Sequence, residues 1–284
     1  MNTFPKNWPQ NFPKIMRFVD LDNCSAKPWH ILKQHPDYDA AKNHENRIAA
    51  ARLIHSFLKQ PENQKQMLYL KTKFPDAVIT PVHAIEANGK NRIPEILAEY
   101  LSKKTGLEAD VSIVQKDKIH RTGSDDFHRF AFRPRYDGHV RQGRRYILVD
   151  DVFTQGGSLN ELRLFIEKQG GNVVQMAAMS LGGHGDIIAM KPETQKRLLD
   201  KFGENNVISF MKEIDLYDGN YKSLTEPEAY FLGRTASLNQ ARDRILAARQ
   251  AGRTRDSQET IRQPQTSTIT QSVTSPKPGR GFRR

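Results

Sequence analysis

The apolar positions of this chain change their spacing along its length, and each change marks an element. Lys14–Leu21 (KIMRFVDL) is a short apolar run bounded by Pro13 and Asp22-Asn23, which predicts a strand. Asp39–Leu58 carries Ile48, Ala49, Leu53, Ile54 and Phe57 at helical spacing and ends ahead of Pro61; a second helix is expected over Glu62–Phe74. Ala77–Val82 (AVITPV) reads as a buried strand. Ile93–Thr105 puts Ile96, Leu97, Tyr100 and Leu101 on one helical face, with Gly106 as a left-handed cap. Asp110–Val114 predicts another strand, and a long polar stretch, Gln115–Arg144, follows it. Then come a strand at Tyr146–Val149, a helix over Leu159–Gln169 with Leu162, Phe165 and Ile166 inward, and a strand at Val173–Ser180. Strand, helix and strand in close succession require parallel crossovers, which makes the expected fold α/β: three layers, a mostly parallel Rossmann-like sheet flanked by helices.

Beyond Gly182 the pattern loosens. Pro192–Phe202 predicts a helix and Val207–Ile214 a strand, and Thr225-x-x-Glu228 and Ser237-x-x-Gln240 are capping-box patterns that start two more helices. Three parts are therefore expected: a core with an N-terminal extension over 1–185, a mainly helical addition packed on it over 186–251, and a tail over 252–284.

Charge alters this picture at the tail. The 284 residues carry a formal net charge of +12. From Arg253 onward there are seven Lys/Arg and two Asp/Glu among Ser, Thr, Gln and Pro, a composition of disorder. The basic tail admits a nucleic-acid partner, and the basic body suits a substrate bearing several phosphates. The single cysteine, Cys24, excludes an intramolecular disulfide and a zinc site built on several thiolates, and favours a reducing, cytoplasmic setting. No run approaches the ~20 apolar residues that span a bilayer, so no membrane association is expected. Met1–Asn11 has no apolar run of a secretory leader. The nine histidines show no spacing that would make a transition-metal site.

Chemistry concentrates in Tyr146–Ser158 (YILVDDVFTQGGS). A strand runs into two adjacent carboxylates, then a Thr-x-Gly-x-Ser turn, then a helix. Ligands of open parallel sheets bind beyond the carboxyl ends of the strands, which is where Asp150 and Asp151 fall. Gly156 and Gly157 let backbone N–H groups converge on a phosphate, and Ser158 is expected at the helix N-cap, where orphan N–H groups favour an anion. The turn alone has an ordinary structural reading, since Ser158-x-x-Glu161 is also a capping box. The paired acids go further: vicinal ribose hydroxyls are two donors that a carboxylate accepts together.

The segment resembles the phosphoribosyl pyrophosphate (PRPP) signature of type I phosphoribosyltransferases: apolar strand, Asp-Asp, apolar pair, Thr-x-Gly-x-Thr. The resemblance implies that Asp150 and Asp151 bind ribose and that Thr154, Gln155, Gly156, Gly157 and Ser158 surround the 5′-phosphate. Gln155 stands where a second Thr is usual, and Ser158 replaces the closing Thr. Thr80-Pro81-Val82-His83, with Asn91 ahead of a helix, is similar to the ComF-like branch, which implies that Pro81, Val82, His83, Lys90 and Arg92 serve the pyrophosphate. Gln115–Arg144 takes the place of the hood that closes over PRPP, with Arg121 and Arg133 as candidate cations for the leaving group. Mg2+ is then the expected cofactor, held mainly by substrate near Asp150 and Asp151 and not by a protein ligand set. The implied activity is transfer of the phosphoribosyl group from PRPP to a nitrogen nucleophile, a nucleobase, with release of pyrophosphate. The alternative is a non-catalytic PRPP- or nucleotide-sensing regulator of the same superfamily. Homo-oligomer formation stays open.

Two other features carry less. Asp20-Leu21-Asp22 has the Asp-x-Asp form that opens haloacid-dehalogenase-like phosphatases, without partner motifs. Cys24 has no evident activating neighbour.

Overall fold

A computed structural model of the chain describes residues 6–9, 11–19, 28–83, 85–86, 89–116, 125–182 and 185–262. Asp20, Asp22, Cys24, Arg121 and the tail from 263 lie outside them.

The chain enters through β1 (Met16–Arg17) and then four helices, α1 (Pro28–Gln34), α2 (Tyr38–Asn43), α3 (Arg47–Leu58) and α4 (Pro61–Lys73). The single helix expected over Asp39–Leu58 is two. Glu45 takes a left-handed φ of 53° between them, and the Asn46 side chain accepts the Ala49 N–H to cap α3. Next come β2 (Val78–Pro81), the short hairpin β3 (Ile85–Glu86) and β4 (Gly89–Lys90), and α5 (Ile93–Thr105). Gly106 closes α5 at φ 77°, returning its N–H to the Ser102 carbonyl.

The strand expected at Asp110–Val114 is displaced. β5 (Glu108–Ala109) joins the main sheet, while β6 (Val114–Gln115) pairs antiparallel with β7 (Tyr136–Asp137). Between β6 and β7 lies α6 (Asp126–Ala131), whose N-cap Asp125 accepts the His128 N–H. Then follow β8 (Arg145–Phe153), α7 (Gly157–Lys168) and β9 (Asn172–Leu181).

The five-stranded sheet has the order β1-β9-β8-β2-β5 and is parallel throughout. Side chains alternate along β8: Ile147 and Val149 enter one apolar cluster with α3, α4 and α5, while Tyr146 and Leu148 enter a second with α7. Helices thus cover both faces, and the expected α/β architecture is the one observed. From β2 the chain runs out to β5 at the edge and returns to β8 on the other side of β2. That reversal opens a crevice beyond the carboxyl ends of β2 and β8. β2 stops at Pro81, opposite Val149, so Asp150 and Asp151 project past it.

After β9 come α8 (Pro192–Phe202), α9 (Glu204–Glu213), α10 (Glu226–Arg234) and α11 (Leu238–Arg262). The strand expected at Val207–Ile214 is helix. Its buried residues Val207, Phe210, Met211 and Ile214 recur at i, i+3, i+4 and i+7, and they build a third core with α10 and α11. That core also takes in Phe130 and Ala131 of α6 and Leu164 of α7. The described residues up to 249 belong to one compact unit, and helical backbone continues to Arg262.

Candidate functional site

The turn between β8 and α7 takes its shape from its glycines. Gly156, at φ 78°, is the N-cap of α7, so Ser158 stands one residue inside the helix and not at the cap as expected. The first intrahelical bond is Asn160 N–H to the Gly156 carbonyl at 2.9 Å. A Cβ on Gly157 would collide with the Arg133 guanidinium and press on a Glu228 carboxylate oxygen. The turn is also held from outside: Thr225 donates its hydroxyl to the Gln155 carbonyl at 2.6 Å, and Tyr136 donates to the Ser158 carbonyl at 3.1 Å. Gln155 is buried, and its Nε2 has no hydrogen-bond partner among the described residues. An unmet donor in such a turn suits an anion's oxygen.

The two acids are buried but differently served. Asp151 Oδ2 accepts from Lys42 Nζ at 2.7 Å and from Asn91 Nδ2 at 3.0 Å, and its Oδ1 accepts the Val152 N–H at 2.7 Å. Asp150 Oδ1 accepts the Asp151 N–H at 2.8 Å. Burial, and then the neighbouring Asp151 charge, push the Asp150 carboxyl well above the usual carboxylate range. Burial acts in the same sense on Asp151, but Lys42 outweighs it, helped by Asn91, and Asp151 is held below that range. The pair therefore ionises unequally, with Asp151 the anion.

This asymmetry sets a stability prediction. A carboxyl whose pKa is higher folded than unfolded holds its proton more tightly in the native state. Its stabilising share is complete below the unfolded value and is lost as pH rises through the folded one. At neutral pH the unfolded chain ionises Asp150 freely while the folded site resists that ionisation, a cost that Asp150→Asn avoids. The variant is expected to melt above wild type near pH 8, at roughly 2–4 °C per kcal/mol recovered, with the gain vanishing near pH 4. Thermal melts across that range check it; a gain that persists unchanged at acid pH would assign it to packing instead.

A cation approaches from the long polar stretch. Arg129, on α6, donates to the Thr154 hydroxyl at 3.0 Å. Its burial lowers its pKa, opposed by Asp126 and by Asp151, Asp125 and Asp150, so its charge is felt at the paired acids.

The other expected ligands are distributed as follows. Pro81 ends β2, and the Val82 N–H donates to the Val149 carbonyl at 2.8 Å, seating the following loop at the crevice. His83 is buried with Nε2 3.8 Å from Glu95, and Arg92 pairs with Glu95 at 2.8 Å and Glu45 at 3.4 Å. Lys90 contributes backbone to β4; its side chain lies outside the description. Arg121 lies outside it too. Arg133 is committed elsewhere: its guanidinium pairs with Glu228 at 2.6 Å and packs on the Phe130 and Tyr217 rings. Lys42 and Arg129 were not singled out by sequence, and Asn91 only by its place ahead of a helix. No described group of three or more His, Cys, Asp or Glu is arranged to hold a metal, and no described helix is long and apolar enough to cross a membrane.

No family model matches the chain. It is 36% identical over 241 residues to protein TraN of Escherichia coli, covering 84% of this chain and 50% of that one. It is 46% identical over 94 residues to an uncharacterized protein of Haemophilus influenzae, covering 33% and 21%. The chain thus spans half or less of the length of these relatives. Among solved structures it is similar to an adenine phosphoribosyltransferase (14% identity, TM-score 0.30, 44% of this chain and 73% of that one). It is also similar to the adenine phosphoribosyltransferase of Rhodothermus marinus (19%, 0.29, 43% and 68%) and the orotate phosphoribosyltransferase of Aeropyrum pernix (20%, 0.25, 47% and 66%).

Proposed function

We propose that this chain binds PRPP and transfers its 5-phosphoribosyl group to a nitrogen of a small acceptor, a nucleobase, releasing pyrophosphate. One observation carries the reading: paired carboxylates and a glycine-bearing turn at a helix N-terminus lie directly in series, beyond the carboxyl end of the central strand β8, at the point where the crossovers diverge. In this reading the turn takes a phosphate through N–H groups at the start of α7 and the Thr154 and Ser158 hydroxyls. Four residues upstream, Asp150 and Asp151 suit the ribose hydroxyls.

In this reading the bond from ribose C1 to a pyrophosphate oxygen breaks, and a bond from C1 to the acceptor nitrogen forms on the opposite face. Asp151, the ionised member, supports the positive charge that develops on the sugar. On the same reading the Val82 backbone and the Arg129 guanidinium serve the phosphates, and exclusion of water protects the sugar from hydrolysis. Magnesium would draw charge from the leaving pyrophosphate. It would be held mainly by the substrate, because the Asp151 oxygens already serve Lys42, Asn91 and Val152.

The test is a panel of nucleobases with PRPP, Mg2+ and the purified chain, read as pyrophosphate release. Release is expected with at least one base and at least tenfold above the base-free rate. Tight PRPP binding with no release from any base would replace the transferase reading with that of a PRPP-sensing regulator; no PRPP binding would overturn both.

A further inference from the structure

We propose that Lys42 is a resident counter-ion that occupies the place of a divalent cation at Asp151, so that the carboxylate pair binds its ligands without a metal of its own. Lys42 belongs to the N-terminal extension, 109 residues from Asp151 in sequence. Nothing local in the chain brings them together; the fold does. Ala41, beside it, is buried, and its carbonyl accepts the Arg92 N–H at 3.1 Å, which ties the end of α2 to the start of α5. The same start of α5 supplies Asn91, whose Oδ1 accepts the Ile93 N–H at 3.1 Å while its amide donates to Asp151. Backbone and side-chain bonds from α2 and α5 thus aim two donors at one carboxylate oxygen.

The ion pair is 2.7 Å long, with side-chain exposures of 12% for Lys42 and 9% for Asp151. It is a built contact, unlike the exposed pairs elsewhere on the surface. A carboxylate offers about four lone-pair positions, and three hydrogen bonds already engage Asp151, two of them on Oδ2. A hard divalent cation needs those oxygens, demands near-octahedral geometry and would face an ammonium at contact distance. Arg129, hydrogen-bonded to Thr154, adds a second positive charge that the acids feel. The negative charge of Asp151 is therefore met by protein cations before any ligand arrives.

The consequence is a division of labour. A metal that enters with a phosphorylated ligand stays on that ligand's phosphates, while hydroxyls of the ligand meet the carboxylates directly. This concerns the same carboxylate pair as the proposed function, but its test contains no sugar phosphate, so the two can fail separately.

The experiment is titration of the full chain with Mn2+ alone, followed by electron paramagnetic resonance of free Mn2+. Wild type is expected to show no stoichiometric site. Lys42→Met is expected to gain a site at least tenfold tighter than any in wild type, and Lys42→Gln to behave in the same direction. Lys42→Arg, which keeps the charge, should match wild type, and the double variant K42M/D151N should lose the gained site. Circular dichroism confirms that each variant is folded. Folded Lys42→Met and Lys42→Gln with no gain over wild type would overturn the proposal. So would a stoichiometric Mn2+ site in wild type that Asp151→Asn removes, a result that needs no Lys42 variant.

Discussion

Glu228→Ala is expected to lower the unfolding free energy by about 3–5 kcal/mol, a large share of the ~5–15 kcal/mol that holds a typical native protein together. Glu228 is fully buried, and its Oε1 lies 2.6 Å from the Arg133 guanidinium, itself only 11% exposed. Burial pulls the Arg133 pKa down, but Glu228 more than offsets it, and the guanidinium stays charged. Glu228 Oε2 also accepts the Thr225 N–H at 2.9 Å, as half of the capping box of α10, and the Tyr217 hydroxyl lies 3.3 Å from both oxygens. Alanine would leave a buried cation, a helix-cap N–H and a phenol without their acceptor. The double variant R133M/E228L removes both charges together and is expected to recover the share of the loss that comes from the stranded cation, while the Thr225 N–H and the Tyr217 phenol stay without Glu228. Urea denaturation of the single and double variants measures this, at constant m-value. A single variant within 1 kcal/mol of wild type would show the pair to be dispensable. The effect reaches the candidate site, since Arg133 and Glu228 both abut Gly157 and Thr225 holds the Gln155 carbonyl. Phosphate affinity should fall with stability in E228A.

Much of the fold is legible because it is written locally. The strand–turn–helix from Arg145 to Lys168 announces itself by an apolar run, two glycines and a helical stripe within 24 consecutive positions. Gly106 is a single-residue signal and the Thr225–Glu228 box a two-residue one, each with one physical outcome, and both are found. Val207–Ile214 fails for an equally local reason. Val, Ile and Phe have strand character, but the buried set Val207, Phe210, Met211 and Ile214 has helical period, and period decides which face meets the core. The break at Glu45 carries only the faint signal of Asn46, a good N-cap inside a run that otherwise suits one helix.

The site divides along the same line. The Asp150–Asp151 pair and the following turn lie on one short segment, so spacing alone groups them. Lys42, Asn91 and Arg129 reach that segment from α2, the start of α5 and α6. Their positions follow from crossovers and from the excursion between β6 and β7, which no single window of sequence contains. Arg133 shows the converse. Its place in the stretch that takes the hood's position made it a candidate cation for a ligand, yet only the structure reveals Glu228, 95 residues later, as its partner.

Asp151→Asn is expected to reduce turnover at least tenfold, about 1.4 kcal/mol in the barrier. The argument rests on charge and on hydrogen-bond capacity. Asp151 is the ionised member of the pair, and positive charge develops on the sugar only as the leaving group departs. Losing its negative charge should therefore depress kcat more than substrate affinity. An amide also cannot serve the same neighbours. Asp151 accepts on both oxygens, from Val152 on one side and from Lys42 and Asn91 on the other. Asparagine has one acceptor and must present its NH2 group to donors on the remaining side. The variant should then melt lower than wild type, because a buried ammonium or a strand N–H loses its partner. K42M/D151N separates the two effects: removing the stranded ammonium should restore part of the melting temperature while leaving turnover low. Steady-state kinetics with an active base, beside thermal melts of the three proteins, gives the comparison. Turnover within twofold of wild type in folded Asp151→Asn would remove Asp151 from the chemistry. Turnover rescued by K42M/D151N would show that the loss came from misplacing Lys42 and not from the missing charge.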